Sequence, residues 1–263
     1  MTFNLFEIGI GNYLYFKNIH WLRIVAHLLH CSTKAPSSKK RSKDTLMYGI
    51  GSTITATKWP RFFHEGTCHI LPRPYKPCKP YGDGWILMKK KWFINLAKVM
   101  ERYVMIYLES IDETSHKHVI SELKKVKSIV PKSLRLSDTF FTQLSITTSN
   151  GENDMEIHID EGDIINAVFH FGSVKSGGST LYFENDPKHK TTTPIYDVPF
   201  QHGRIQIGFF NRIYHCAQSF DGIRFALNFN VKKKVLDHFQ THGSKFYDQF
   251  VNNNYEGDLL LAR

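Results

Sequence analysis

Hydrophobic positions along this chain follow two different periods. From Lys91 to Ser110, "KWFINLAKVMERYVMIYLES", and from Glu113 to Ile129, "ETSHKHVISELKKVKSI", apolar residues recur three and four apart, the spacing of a helix that buries one stripe. Asp112 is placed to cap the second helix by accepting from its first-turn N–H groups. From Asp138 onward the runs are short and rich in β-formers: "FFTQLSITTS", "MEIHID", "IINAVFHFG", "STLYFE", "RIQIGFF" and "IRFALNFNV", separated by turn residues. Runs at that spacing predict an antiparallel sandwich or barrel. The tail "KKVLDHFQTHGSKFYDQFVNNNY" returns to the helical period and predicts a closing helix over about 234–252.

Upstream the pattern is weaker. "IHWLRIVAHLLHC", Ile19 to Cys31, has apolar residues at helical spacing but is short and interrupted by Arg23, which suits a packing helix better than a membrane anchor. Ser32 to Asp44, "STKAPSSKKRSKD", holds too few apolar groups to offset the entropy of ordering and reads as a linker. Thr45 to Asp83 is dense in Gly, Pro and aromatics, so it is expected to hold only short strands and turns. The organisation expected is an N-terminal helix and basic linker over 1–44, then one α+β domain over 45–263 whose β core spans about 138–233.

With 263 residues, 41% of them hydrophobic and 14% aromatic, the chain can bury a large core, which excludes an intrinsically disordered protein. Its four cysteines, Cys31, Cys68, Cys78 and Cys216, are far apart and without CxxC spacing, which argues against a disulfide scaffold and for a reducing compartment. No apolar span reaches 18 residues and the start lacks a secretory pattern, so the expectation is an intracellular protein without a membrane partner. The net charge of +10 favours a polyanionic partner, nucleic acid first. The run Lys39 to Lys43 suits nuclear import or a phosphate-contacting arm, and equally a solvated loop. Between Lys58 and Tyr81, Lys and Arg alternate with Trp59, Phe62, Phe63, Tyr75 and Tyr81, a mixture that suits phosphate contact with base stacking, or the core of a loop-rich layer.

The candidate chemistry begins in "MEIHIDEGD". In an extended chain His158 and Asp160 project from one face while Ile157 and Ile159 take the other. His215, in "FFNRIYHCAQSF", is the candidate third ligand. Two histidines and one carboxylate leave coordination positions open, the arrangement of a non-haem Fe(II) oxygenase, whereas a structural zinc site fills all four positions, usually with thiolates. Arg224 follows on the next β run, and its guanidinium fork fits a carboxylate in bidentate fashion. The competing reading makes both histidines ordinary strand residues and pairs Arg224 with an acid.

Taken together, His158-x-Asp160, His215 and Arg224 resemble the signature of the Fe(II)/2-oxoglutarate-dependent dioxygenases over about Phe140 to Lys233. The resemblance implies a double-stranded β-helix (jelly-roll) core with flanking helices on one face. It implies that His158, Asp160 and His215 form the catalytic centre and bind Fe(II), that Arg224 pairs with the C5 carboxylate of 2-oxoglutarate, and that O2 is consumed in oxidising a C–H bond. Many members carry a serine two residues after the arginine. Ala226 stands there in this chain, leaving Asn228 on the same strand face, or Gln143 and Ser145 on another strand, as candidates for the second cosubstrate contact.

Two subfamilies are echoed. "SGGSTLYFEND" followed by "HGRIQIGFFNRIYHCAQSF" looks like the prolyl-hydroxylase-like enzymes, which generally place Lys where Arg224 stands. "NRIYHCAQSFDGIRFALNF" is similar to the oxygenase domain of the TET and base-J-binding (JBP) family, which implies oxidation of the methyl group of a pyrimidine base. The positive charge favours the second: a DNA substrate ahead of RNA, carrying 5-methylcytosine or thymine, with the base swung out of the duplex. The insert "FENDPKHKTTTPIYDVPFQHG", Phe183 to Gly203, is placed either to cover the metal mouth or to run as a surface excursion. A protein hydroxylase, an RNA demethylase and a non-catalytic nucleic-acid-binding jelly-roll module are the alternatives.

Overall fold

The computed structural model describes residues 6–9, 45–54, 60–63, 91–111, 114–136, 138–149, 151, 154–184 and 193–254. The helix expected at Ile19 to Cys31, the linker Ser32 to Asp44 and the cap Asp112 lie outside the described residues. So does the Lys58 to Tyr81 segment except for Pro60 to Phe63, and so do residues 185–192 of the insert.

The strands are β1 Phe6–Gly9, β2 Thr45–Ile54, β3 Pro60–Phe63, β4 Gln143–Ser149, β5 Asp163–Gly177, β6 Thr180–Phe183, β7 Tyr196–Val198, β8 Arg204–Gly208, β9 Tyr214–Ala217 and β10 Phe220–Lys232. The helices are α1 Lys91–Ser110, α2 Thr114–Ile129 and α3 Lys233–Asn254. This is a mixed helix and antiparallel-sheet protein. The chain divides into two compact units, one of residues 1–48 and 145–228, the other of residues 49–144 and 229–263.

In the first unit β8 pairs antiparallel with both β1 and β5, and the strand order continues through β10 to β4. A second sheet has the order β7-β6-β9. The first nine residues of β5 are buried, after which exposure alternates. That is why "IINAVFHF" reads as a continuous apolar run: both faces of the strand are covered there. Val168, Tyr182, Val198, Phe210 and Ile213 form a buried apolar cluster, with Ala226 packed against it. The Phe171 and Phe225 rings stack at 4.8 Å. Gly172 and Gly222 let backbones approach where no side chain fits: a Cβ on Gly172 would lie 2.0 Å from the Ile223 carbonyl oxygen, and one on Gly222 would lie 2.2 Å from that of Ser173. Both have positive φ, 140° and 128°.

In the second unit α1 buries Leu96, Met100, Val104, Tyr107 and Leu108, while Val119, Leu123 and Val126 form the stripe of α2. Val235, Leu236 and Phe239 do the same for α3. The Glu101 carboxylate accepts the Phe140 N–H at 2.9 Å and pairs with Lys127 at 3.3 Å, tying the turn before β4 to α1. Gly243, with φ 67° and ψ 171°, breaks α3 into two pieces.

The bounds of α1 coincide with those expected from the sequence, and α2 is described over Thr114–Ile129 within the span expected for it. Four strands differ, β1 among them, since none was expected within 1–44. β2 runs for ten residues where only short strands were expected, because alternating Leu46, Tyr48, Ile50 and Ile54 are interrupted by two glycines. β7 lies inside the insert, and β9 is too short to announce itself. "MEIHID" forms no regular strand: it touches β9 through an isolated bridge at His158 and through the Met155 N–H, which donates to the Ala217 carbonyl at 2.8 Å.

Candidate metal centre

His158 and His215 are joined backbone to backbone. The His158 N–H donates to the His215 carbonyl at 3.0 Å and the His215 N–H donates back at 2.8 Å. Directly opposed residues of an antiparallel pair project their side chains to the same face. The two imidazoles accordingly lie with ring centroids 4.5 Å apart. Asp160 is brought in by a third hydrogen bond, from its N–H to the Phe210 carbonyl at 2.9 Å. His158 Nε2 then lies 3.8 Å from Asp160 Oδ1, and His215 Nε2 lies 4.0 Å from Asp160 Oδ2. The ligand atoms of the three residues all fall within 4.8 Å of one another.

Each ring is oriented by its other nitrogen. His158 Nδ1 lies 2.8 Å from the Glu156 carbonyl oxygen, and His215 Nδ1 lies 3.2 Å from that of Ile213. A carbonyl only accepts, so Nδ1 carries the proton in both rings and the Nε2 lone pair is left to face Asp160. Such an outer hydrogen bond is what fixes a metal-binding histidine in its coordinating tautomer. Two neutral imidazole nitrogens and a carboxylate oxygen make a donor set suited to Fe(II), and the three residues could hold a divalent ion.

Arg224, on β10, is 7% exposed and its Nη2 donates to the Thr180 hydroxyl of β6 at 3.2 Å. Burial pulls the guanidinium down to about 10, with Tyr182 and Cys216 opposing, so it stays charged at neutral pH. Burial pushes the Cys216 thiol up to about 11. Tyr182 donates its hydroxyl to Gln206 Oε1 at 2.9 Å, and His170 Nε2 shares the same acceptor at 3.0 Å. Burial, then the Arg224 charge, hold the His170 pKa down to about 3.

His158, Asp160 and His215 are therefore brought together from distant stretches of sequence. The amide of Asn228 is occupied by Asp160 and Asn166. Ala226 packs against the apolar cluster. Gln143 and Ser145 lie at the start of β4, Gln143 in the second unit and Ser145 in the first. Sequence reasoning missed Thr180, Tyr182 and Asn166. Their signals were present: Thr180 and Tyr182 alternate on one face of "STLYF", and Asn166 is the polar exception in an apolar run.

No family model matches the sequence, and no curated protein matches it. Among solved structures the chain is similar to NgTET1 in complex with 5mC DNA, with TM-score 0.50 and 13% identity over 88% of this chain and 73% of that one. That likeness is one of fold: the chain is TET-like in architecture. Two further neighbours are OsALKBH1, with TM-score 0.47 and 11% identity over 88% of this chain and 99% of that one, and an oxidoreductase of the 2OG-Fe(II) oxygenase family from Burkholderia pseudomallei. The latter has TM-score 0.43 and 12% identity over 87% of this chain and 84% of that one.

Proposed function

We propose that this chain is an Fe(II)/2-oxoglutarate-dependent dioxygenase that oxidises a C–H bond, and that its substrate is the methyl group of 5-methylcytosine or thymine in DNA. The observation that carries the catalytic half is the convergence of His158, Asp160 and His215 with both Nε2 atoms turned toward the carboxylate. A double-stranded β-helix core is part of the same reading. In its support, the chain places β5 in the larger sheet, β6 and β7 in the smaller, β8 in the larger, β9 in the smaller and β10 in the larger.

Iron and 2-oxoglutarate bound at this centre would supply the activation of dioxygen that C–H oxidation needs. The chain's own residues hold and orient. His158, Asp160 and His215 offer three donors and leave positions for cosubstrate and O2. Arg224 offers its fork to the distal carboxylate. Thr180 accepts from Arg224 and keeps its own O–H to donate, which supplies the hydroxyl that Ala226 lacks.

The DNA half rests on the net charge of +10 and on the Lys, Arg and aromatic residues between Lys58 and Tyr81. NgTET1 was solved in complex with 5mC DNA. The test is mass spectrometry of duplexes containing 5-methylcytosine or thymine after incubation with Fe(II), 2-oxoglutarate and O2, with succinate measured in parallel. Oxygen gained by either base supports the reading. Oxygen gained by a peptide or a methylated RNA instead makes the chain a protein hydroxylase or an RNA demethylase, and DNA binding without succinate makes it a non-catalytic module.

A further inference from the structure

We infer that Asn166 and Asn228 are positioning residues that hold Asp160 by one oxygen and present the other to the metal. The inference rests on the metal centre proposed above. Asn166, on β5, is fully buried. Its Nδ2 reaches Asp160 Oδ2 at 2.9 Å, Asp163 Oδ2 at 2.8 Å and Asn228 Oδ1 at 3.2 Å. Asn228, on β10, donates its own Nδ2 to the same Asp160 Oδ2 at 3.1 Å.

The network fixes its own orientation. Turning the Asn228 amide over would set its oxygen against the Asp160 carboxylate and its NH2 against that of Asn166, so both contacts would become repulsive. Asp160 Oδ2 thus receives two N–H donors from two neighbouring strands of the larger sheet. Asp160 Oδ1 accepts no hydrogen bond among the described residues and faces His158 Nε2 at 3.8 Å, whereas Oδ2, 4.0 Å from His215 Nε2, is the oxygen the amides engage. A carboxylate held in this way meets a cation through one oxygen. Released from the amides, it can turn and chelate through both, taking a coordination position that cosubstrate or O2 requires. The two asparagines therefore preserve the vacant positions on which the chemistry depends, and they do so without touching the ion.

Co(II) binding to the full chain, followed by calorimetry and by the visible ligand-field spectrum, tests this independently of turnover. Asn228→Ala and Asn166→Ala are expected to weaken Co(II) binding by about 10- to 100-fold and to change the spectrum as Oδ2 joins the coordination sphere. Asn228→Asp keeps the shape but replaces the donor by an acceptor, and is expected to weaken binding at least as much. Circular dichroism checks folding. Should buried Asn166→Ala fail to fold, the two Asn228 variants decide, since that side chain is only half-buried. Affinity and spectrum unchanged in both Asn228 variants overturn the inference. Asp160→Ala separates the two claims. If it binds Co(II) like the parent, the metal centre and the inference both fall; if it loses Co(II) while the Asn228 variants do not, the inference alone falls.

Discussion

The Arg224 guanidinium on β10 donates to the Thr180 hydroxyl on β6 across 3.2 Å, a polar contact between a strand of the larger sheet and a strand of the smaller. If that pair holds the distal carboxylate of 2-oxoglutarate, Arg224→Ala should weaken cosubstrate binding by on the order of 2 to 5 kcal/mol while leaving Co(II) affinity in place. Calorimetric titration with 2-oxoglutarate reads this directly. Arg224→Lys should recover only part, because an ammonium lacks the fork. Equal affinity in parent and Ala variant rejects the assignment.

Thr180→Val keeps the side-chain shape and removes the hydroxyl. The expected loss in 2-oxoglutarate affinity is about 1 to 3 kcal/mol, smaller than for Arg224→Ala, with metal binding unchanged. A variant that binds 2-oxoglutarate as the parent does would return the question of the second contact to other groups.

Asp160→Ala should abolish retention of Fe(II), assayed by metal analysis after gel filtration, and shift the melting temperature by only a few degrees. The backbone hydrogen bonds that place His158 against His215 do not involve the Asp160 side chain. Loss of the folded state on this substitution would mark Asp160 as structural.

His170 sets a pH dependence of stability. Its pKa is about 3 in the folded protein against 6.5 ordinarily, because burial and the Arg224 charge disfavour the imidazolium. A depressed folded pKa means that the unfolded chain binds the proton first. Stability from this group is therefore complete above pH 6.5, and falls as pH drops toward 3 with a limiting slope of roughly 1.4 kcal/mol per pH unit. Urea melts at several pH values should show this slope, and His170→Phe should remove its share of it. A variant with the parent's full pH dependence in that window contradicts the account.

Backbone approach gives a contrast between two glycines. A Cβ on Gly172 would meet the Ile223 carbonyl oxygen at 2.0 Å, whereas one on Gly162, at φ 78°, would meet nothing within 4 Å. Gly162→Ala should cost about 1 kcal/mol from the left-handed backbone alone, and Gly172→Ala more than about 3 kcal/mol, as measured by denaturant unfolding.

Some of this architecture was legible because the residues announce their period. α1 carries an apolar stripe from Leu96 to Leu108, and β5 carries a largely apolar run, so each declares its partner surfaces. β9 and β7 declare nothing: four and three residues are too few to show alternation, and their pairing with β6 comes from the sheet rather than from local preference. The site divides in the same way. His158 and Asp160 stood out because they interrupt isoleucines at a spacing of two, and His215 with Arg224 completed a recognisable set. Asn228 shares a strand face with Arg224, which alone would place it toward the cosubstrate, but its amide is occupied by Asp160 and Asn166. Strand alternation says which face a side chain takes, and is silent on which neighbour across the sheet will claim it.

The reciprocal hydrogen bonds between His158 and His215 also bear on how the proposed metal centre would be loaded. In a zinc finger the ligands are scattered until the ion gathers them, so the ion's affinity and the protein's folding are one free energy. Here the backbone has already brought the imidazoles side by side, and an arriving ion meets an arrangement whose ordering cost was met when the sheet formed. Iron starvation would then leave a stock of intact, loadable polypeptide rather than an unfolded one, and the supply of iron would set how much of that stock is active without setting how much of it survives.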